Sequence, residues 1–518
     1  MGVLRDLVML KRSRALASVA LVALTTGMAA PAWADTLRDA IALAYRTNPT
    51  LLAQRANQRA LDETVPQARA GLRPTVDVTG STTYSRTDVR AGGEQIDTNN
   101  DGIPDTTVGE GVTENDSVGV TLGVSQNLWT AGRIASGINA AEANVLAGRE
   151  NLREIEQQVM ASVIQAYVDV QRDMEILTIR QDNLSVLQRQ LEESSARFEV
   201  GEITRTDVAQ AEARLAQSES DLANAQAQLS VSRAAYAAVI GQAPADLETP
   251  PALPGVPGDF DAAMEVALLE NPGLRAADYQ LQAAEAQVAQ ARSEYLPSVR
   301  ATASYGGSSD LSRFDLTDRT SFQAGLTLSV PIFTGGLNAS RVAQAREQAN
   351  AAQIGVEGER RSVLQNVSSA YAQVVSTAST LQASEEGVRA ATVAAEGVRA
   401  EAQVGLRTTL DVLNQELELR NSQVNLVSAR RNQYVAQAQL LAAMGRLEGP
   451  DLEPGVELYD PQANFDRVRN RGALPWDGVV ETIDRLAAPP IVPAQDAPDA
   501  PIDQQLKGEI IQTAPQTP

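Results

Sequence analysis

The sequence of 518 residues contains no cysteine and no histidine. Disulfides, thiolate or imidazole metal sites, and nucleophilic sites built on Ser-His-Asp or Cys-His are therefore excluded. Lysine occurs only at Lys11 and Lys507, so nearly the whole chain lacks an amine base. Aromatic residues are 4 %, little for a core built on large rings. No segment beyond the N-terminal stretch has the ~20 uninterrupted apolar residues of a membrane helix. Basic residues number 43 against 65 acidic, for a net charge of −22. So acidic a surface does not hold phosphate backbones, and no nucleic-acid partner is expected. The scattered carboxylates form no catalytic constellation, and an enzyme is not expected.

Residues 1–34 have the pattern of a secretory signal peptide. Lys11, Arg12 and Arg14 form the basic region, Ala15–Leu24 the apolar run, and Ala32-Trp33-Ala34 the small-x-small cleavage site. No cysteine follows to carry a lipid anchor. The mature chain is expected to be exported, and to enter a membrane only as a β-barrel.

The remainder reads as a duplication. Asn48-Pro49 recurs as Asn271-Pro272, and Arg73-Pro74-Thr75-Val76 as Leu296-Pro297-Ser298-Val299, both at an offset of 223. Further on, Tyr167 matches Tyr371, Gly201 matches Gly405, Asp207 matches Asp411 and Gly241 matches Gly445, all at 204. Repeat 1 spans 35–241 and repeat 2 spans 259–445, joined by a Pro-rich linker at 242–258. Each begins with short helices, with Asn48 or Asn271 as N-cap and proline in the first helical turn. Two strands follow, in about 74–129 and 297–333. Long helical stretches fill 133–241 and 337–445, interrupted at Gly201 and Gly405. A 65-residue helix is ~100 Å long, a length for rods and tubes. Residues 446–487 are expected to pack as short helices around the middle of such a tube. Residues 488–518, rich in proline, are expected to be disordered.

The strands alternate. Val118, Val120, Leu122 and Val124, and then Phe322, Ala324, Leu326 and Leu328, fall on every second position with polar residues or glycine between. One apolar and one polar face suits a half-buried sheet and equally a lipid-facing barrel with a wet lumen. The long helices and the signal favour the barrel. Four strands cannot close one, since membrane barrels need at least about eight. A barrel must then be shared, and three copies supply twelve strands.

Signal, tandem repeat, two strands per repeat and the turn motifs VGEITRTDV (200–208) and VGLRTTLDVLN (404–414) together resemble the TolC family of outer-membrane channel proteins. The resemblance covers about 35–445. It implies an α+β membrane protein: a homotrimer with a 12-stranded β-barrel in outer-membrane lipid and a periplasmic α-helical tunnel. It implies a passive duct for type I protein secretion, with a periplasmic adaptor (membrane fusion protein) and an inner-membrane ABC transporter as partners and an exported protein as cargo. Multidrug efflux, with an RND pump and drug cargo, is the alternative. From other classes, a periplasmic coiled-coil adaptor or a structural rod stays open.

By the same resemblance Arg407 takes the place of a constriction arginine, with Thr206 and Asp207 as its partners on the neighbouring helix pair. Asp411 matches the first ring acid. Asn414 stands where a second acid is usual, and Ala402 where a gating tyrosine can be; both departures weaken the closing network. Val200, Gly201, Val404, Gly405 and Leu406 are the expected adaptor-docking tip. Arg407 and Asp411 also have the i, i+4 spacing of an ordinary exposed helix pair.

Repeat 1 carries an insert between Pro74 and Gly132. Within it, DTNNDGIPD (97–105) places Asp97, Asn99, Asp101, the Ile103 carbonyl and Asp105 at the oxygen spacing of a calcium loop. The bidentate glutamate expected at the twelfth position is missing, since Val108 stands there. No cofactor is expected; calcium in this loop is the one candidate, and the plainer reading is a polar surface loop.

Overall fold

A computed structural model describes residues 36–89, 94–96, 100–103, 106–108, 111–245, 247–312, 315–317, 319–452 and 459–494. The signal segment lies outside them. Repeat 1 contains α1 (Leu37–Thr47), α2 (Pro49–Asp62), α3 (Thr64–Ala70), β1 (Thr75–Val89), β2 (Glu94–Ile96), β3 (Thr106–Val108), β4 (Gly111–Trp129), α4 (Arg133–Glu199) and α5 (Arg205–Ile240). Repeat 2 contains α6 (Phe260–Glu270), α7 (Pro272–Ser293), β5 (Ser298–Ser309), β6 (Arg319–Ser329), α8 (Leu337–Gln403) and α9 (Thr409–Met444). Short helices α10 (Gly449–Leu452), α11 (Pro461–Val468) and α12 (Asp477–Asp484) follow.

The two long helices have 67 residues each, about 100 Å at 1.5 Å per residue. Each packs against the helix that follows it, forming two hairpins, and α4, α7, α8 and α9 join the repeats side by side. No helix among the described residues is long and apolar enough to cross a membrane.

Asn48 and Asn271 do more than cap. The Asn48 side chain accepts from the Thr50 amide at 3.0 Å and donates to the Val239 carbonyl at 2.8 Å. Asn271 accepts from Leu274 at 3.1 Å and donates to Ala443 at 3.0 Å. Each thus ties the start of one helix to the far end of its repeat's hairpin. The helix after Asn48 breaks at Glu63 into α2 and α3, whereas α7 runs unbroken for 22 residues. Pro66 explains the difference, because it has no N–H for the Asp62 carbonyl four residues back.

The strands form one antiparallel sheet in the order β1-β4-β5-β6. Its register aligns the alternation across all four. Val78 pairs with Leu122, Leu122 with Tyr305 and Tyr305 with Phe322. Val76, Val124, Ala303 and Ala324 make the next apolar row. The opposite face carries Asp77, Gly123, Ser304 and Gln323. The apolar face is uncovered: Phe322 is 70 % exposed and Leu326 71 %. The outer edges of β1 and β6 have no strand partner among the described residues. Past Ser329 the chain leaves the sheet at Pro331, which cannot donate to a ladder. The insert, expected as a loop, forms a second two-stranded ribbon, β2-β3, at the end of the sheet remote from the helices.

The core lies where the short helices meet the hairpins. Tyr167 and Tyr236 are fully buried there, ring centroids 6.5 Å apart. Three tyrosine hydroxyls hold the Pro-rich linker: Tyr167 donates to the Glu248 carbonyl, Tyr434 to Pro251 and Tyr371 to Gly258, at 2.7, 2.9 and 3.1 Å. The Arg55 guanidinium lies over both Tyr45 and Tyr459, 4.3 and 5.0 Å from their centroids, a cation–π stack that fixes the C-terminal segment. That segment then climbs the outside of α2 and α3. Asn464 donates to Asp62 at 2.6 Å, and Arg73 pairs with Asp477 at 2.8 Å. Buried Asp484 accepts from the Thr130 amide at 2.5 Å and its hydroxyl at 2.7 Å.

The expected disorder from 488 onward does not hold for 488–494. The Ala494 amide donates to Glu285 at 3.0 Å, and Ala494 packs against Val288, Ala345 and Ala349. Residues 495–518 lie outside the described residues.

Glu156 accepts from the Gly449 amide at 3.1 Å in this belt. Burial is the main cause pushing its carboxyl up to about 7, with Glu448 adding to the rise and the amide bond, Arg55 and Arg153 opposing it. A raised acid contributes stability that is complete below its unfolded pKa of about 4.5 and lost as pH rises through its folded value. Glu156→Gln keeps the acceptor without the charge. It should melt close to wild type at pH 4.5 and a few degrees above it at pH 8, measured by circular dichroism in detergent.

Candidate functional site

The two hairpin turns lie at the end of the molecule remote from the sheet, and both are built alike. At the first, the Gly201 amide bonds the Phe198 carbonyl at 2.9 Å and the Glu202 amide bonds Arg197 at 2.9 Å. At the second, Gly405 bonds Ala402 at 3.1 Å and Leu406 bonds Glu401 at 2.9 Å. This is the Schellman closure, which needs a left-handed residue after the helix. Gly201 and Gly405 supply it with φ of 81° and 78°. The returning helices start on capping boxes. Asp207 accepts from the Thr204 amide at 2.9 Å and Asp411 from the Thr408 amide at 3.0 Å, while each threonine hydroxyl accepts from the aspartate amide. The hydroxyl and amide of Thr204 hold the Asp207 carboxyl below its usual range, and those of Thr408 do the same for Asp411. Val200, Val404 and Leu406 project from the turns, each more than 70 % exposed.

Arg407 and Asp207 line one open cleft of about 350 Å³ between the hairpins. They do not form the expected pair within the chain. Arg407 bonds Glu401 at 2.7 Å in its own turn, and Asp207 is committed to its cap. A carboxylate with two local donors and an arginine with an acid six residues back each find a partner at less cost in side-chain freedom than by crossing the cleft. Thr206 is exposed, two residues after the Thr204 cap. Asn414 makes the link across instead: its Oδ1 accepts from Arg214 of α5 at 2.9 Å.

Sequence reasoning missed Arg214, and it missed the ion pairs that straddle the glycines. Arg197 pairs with Glu202 at 3.1 Å, and Glu401 with Arg407 at 2.7 Å. Arg197 and Glu401 are equivalent at the 204 offset, so the hairpins present opposite charge at corresponding helix ends. Opposite charges five or six residues apart around a glycine were the available signal. Glu416 of α9, with its side chain buried, is bonded by Arg399 of α8, closing the hairpin just above the turn.

Of the calcium-loop positions, Asp97, Asn99 and Asp105 lie outside the described residues. The Asp101 carboxylate accepts the Ile103 amide at 2.8 Å, and Gly102 has φ of 84°. Among the described residues no group of three acids could hold a metal ion.

Because the cap is local, its loss should be local. Thr408→Ala is expected to cost about 1 kcal/mol. It should speed amide hydrogen exchange about fivefold in the first turn of α9, leaving α5 and the sheet unchanged; equal change in both hairpins would contradict the cap assignment.

The model of the family described as "Outer membrane efflux protein" matches residues 40–242 and 263–446, one stretch in each repeat. The outer membrane efflux protein BepC of Brucella suis is 33 % identical over 88 % of this chain and 93 % of its own length. The outer membrane protein TolC of Vibrio cholerae is 27 % identical over 81 % and 93 %. The alkaline protease secretion protein AprF of Pseudomonas aeruginosa is 26 % identical over 60 % and 66 %. The crystal structure of the Campylobacter jejuni CmeC outer membrane channel superposes with a TM-score of 0.69 at 16 % identity, over 84 % of this chain and 89 % of that one, a likeness of fold. On this evidence the chain belongs to the TolC-like outer membrane efflux protein family.

Proposed function

We propose an outer-membrane channel for this member of the efflux family, in place of the soluble adaptor and the structural rod. We propose that three copies close a 12-stranded barrel and join their hairpins into a tunnel through the periplasm. The observation that carries this is the four-stranded sheet, apolar on one face and open at both edges, standing on hairpins about 100 Å long. A sheet in lipid must have no free edge. The duct is passive. A periplasmic adaptor would seat on the exposed Val200, Val404 and Leu406, and an inner-membrane ABC transporter or RND pump would supply the energy. The broad match to BepC, named for efflux, and the match to the solvent efflux pump protein SrpC support efflux, and type I protein secretion is the second reading, which rests on the shorter match to AprF.

The gate is proposed at the tip. Arg214–Asn414 links the two hairpins of one protomer, while Arg407 is free to exchange Glu401 for Asp207 across the cleft when the hairpins close further. Each such exposed contact contributes about 0–1 kcal/mol, so opening needs only a partner that binds the splayed hairpins better. Acidic residues around a narrow pore favour cations.

Single-channel conductance of the purified trimer in planar bilayers tests this. Wild type should give a small cation-selective conductance. It should rise several-fold in Arg214→Ala and also, by a smaller factor, in Arg407→Ser. Equal conductance in all three would remove these residues from the gate. A folded trimer without conductance would overturn the duct.

A further inference from the structure

The C-terminal helix α12 presents three different environments around its axis. Val480 and Asp484 face the protein: Val480 packs among Leu72, Ile138, Ala68 and Ile134, and Asp484 is fully buried. On a second sector Asp477 pairs with Arg73 and Glu481 with Arg485, at 2.8 and 2.9 Å. The third sector is apolar and bare. Trp476, Val479, Ile483 and Leu486 are 48, 62, 41 and 62 % exposed. Val479 and Ile483, four residues apart, share one side of the helix, and Trp476 at its N-cap and Leu486 in the turn after it extend this apolar stripe at both ends.

The position of this stripe identifies what covers it. Arg73 lies two residues before β1, and Thr130 directly follows β4, so α12 sits at the end of the sheet nearest the helices. The Trp129 indole donates to the Leu486 carbonyl at 2.9 Å. A bulge after Asn127 brings Trp129 opposite Val299, which in turn pairs with Leu328. Val299 and Leu328 belong to the apolar face of the sheet. The bare stripe of α12 therefore continues the lipid-facing surface of the barrel past its periplasmic rim, turning from strand to helix at Trp129.

We infer that α12 is an interfacial helix, lying in the headgroup region of the inner leaflet of the outer membrane with Trp476, Val479, Ile483 and Leu486 in contact with phospholipid. A helix with one apolar and one charged sector lies in that plane with its apolar side about 5–10 Å deep, and tryptophan favours the same depth. Buried Asp484, bound to Thr130, fixes the rotation of the helix, so the stripe points outward. The C-terminal segment then acts as a collar that sets the height of the barrel in the bilayer. This rests on the barrel reading above.

Because the chain has no cysteine, spin labels can be placed singly. Val479→Cys, Ile483→Cys, Arg485→Cys and Phe322→Cys are labelled with a nitroxide in the mature trimer, in vesicles of phosphatidylethanolamine and phosphatidylglycerol. Collision rates with oxygen and with a water-soluble nickel chelate report the environment. Labels at 479 and 483 should favour oxygen, as the label at 322 does, and the label at 485 should favour nickel. If 322 reads lipid while 479 and 483 read water, this inference is overturned and the barrel stands. If 479 and 483 are shielded from both reagents, a second copy covers the stripe, and the lipid assignment is equally overturned. If 322 itself reads water, the barrel reading fails and this inference with it.

Discussion

Hydrocarbon offers no hydrogen-bond partner to a backbone amide, so a sheet that enters a bilayer must close on itself. Among the described residues of this chain the sheet has four strands, with no strand partner along the outer edges of β1 and β6. Much else follows from that incompleteness. The apolar rows from Val78 to Phe322 are arranged for a surrounding of lipid, and the polar row from Asp77 to Gln323 for a lumen of water. In the proposed assembly the helices below continue a ring that further copies complete. Duplication is the economical way to build it, since each repeat contributes one strand pair and one hairpin.

The duplication is also where symmetry is broken. The two turns share glycine closure, threonine caps and exposed valines, yet the ion pairs beside them reverse sign, Arg197–Glu202 against Glu401–Arg407. Alternating hairpins around a tunnel would thus meet with unlike charges across each cleft. Among the described residues, the C-terminal segment is clamped at the strand-to-helix junction of repeat 1, through Thr130 and Asp484. In repeat 2 the position equivalent to Thr130 is Thr334, which is exposed, and Ile332 and Phe333 just before it are 95 and 88 % exposed in the single chain. The clamped junction and the bare one lie in different surroundings.

Features that repeat or alternate were legible in the sequence. The constant offset gave the repeats, period two gave the strand faces, and Gly201 and Gly405 marked both turns, whereas the capping role of Asp207 and Asp411, expected only in the gate, was not read. Features that depend on which of several partners a side chain chooses were not. Arg407 has Asp207, Asp411 and Glu401 within reach by sequence or by resemblance, and the nearest geometry decided for Glu401. Arg214 and Asn414 are 200 residues apart and meet only because the hairpins lie side by side. The C-terminal segment has no repeat to be compared with, so its path along α2 and α3 is read from its contacts with Arg55, Asp62, Arg73 and Thr130.

The central claim is that the sheet edges are completed by two further copies. Native mass spectrometry of the mature protein extracted from outer membranes in mild detergent tests it most directly. The account predicts one species of three chains, resistant to dilution. A stable monomer, a dimer or an open-ended series of masses would contradict it, because none of these closes twelve strands into a barrel.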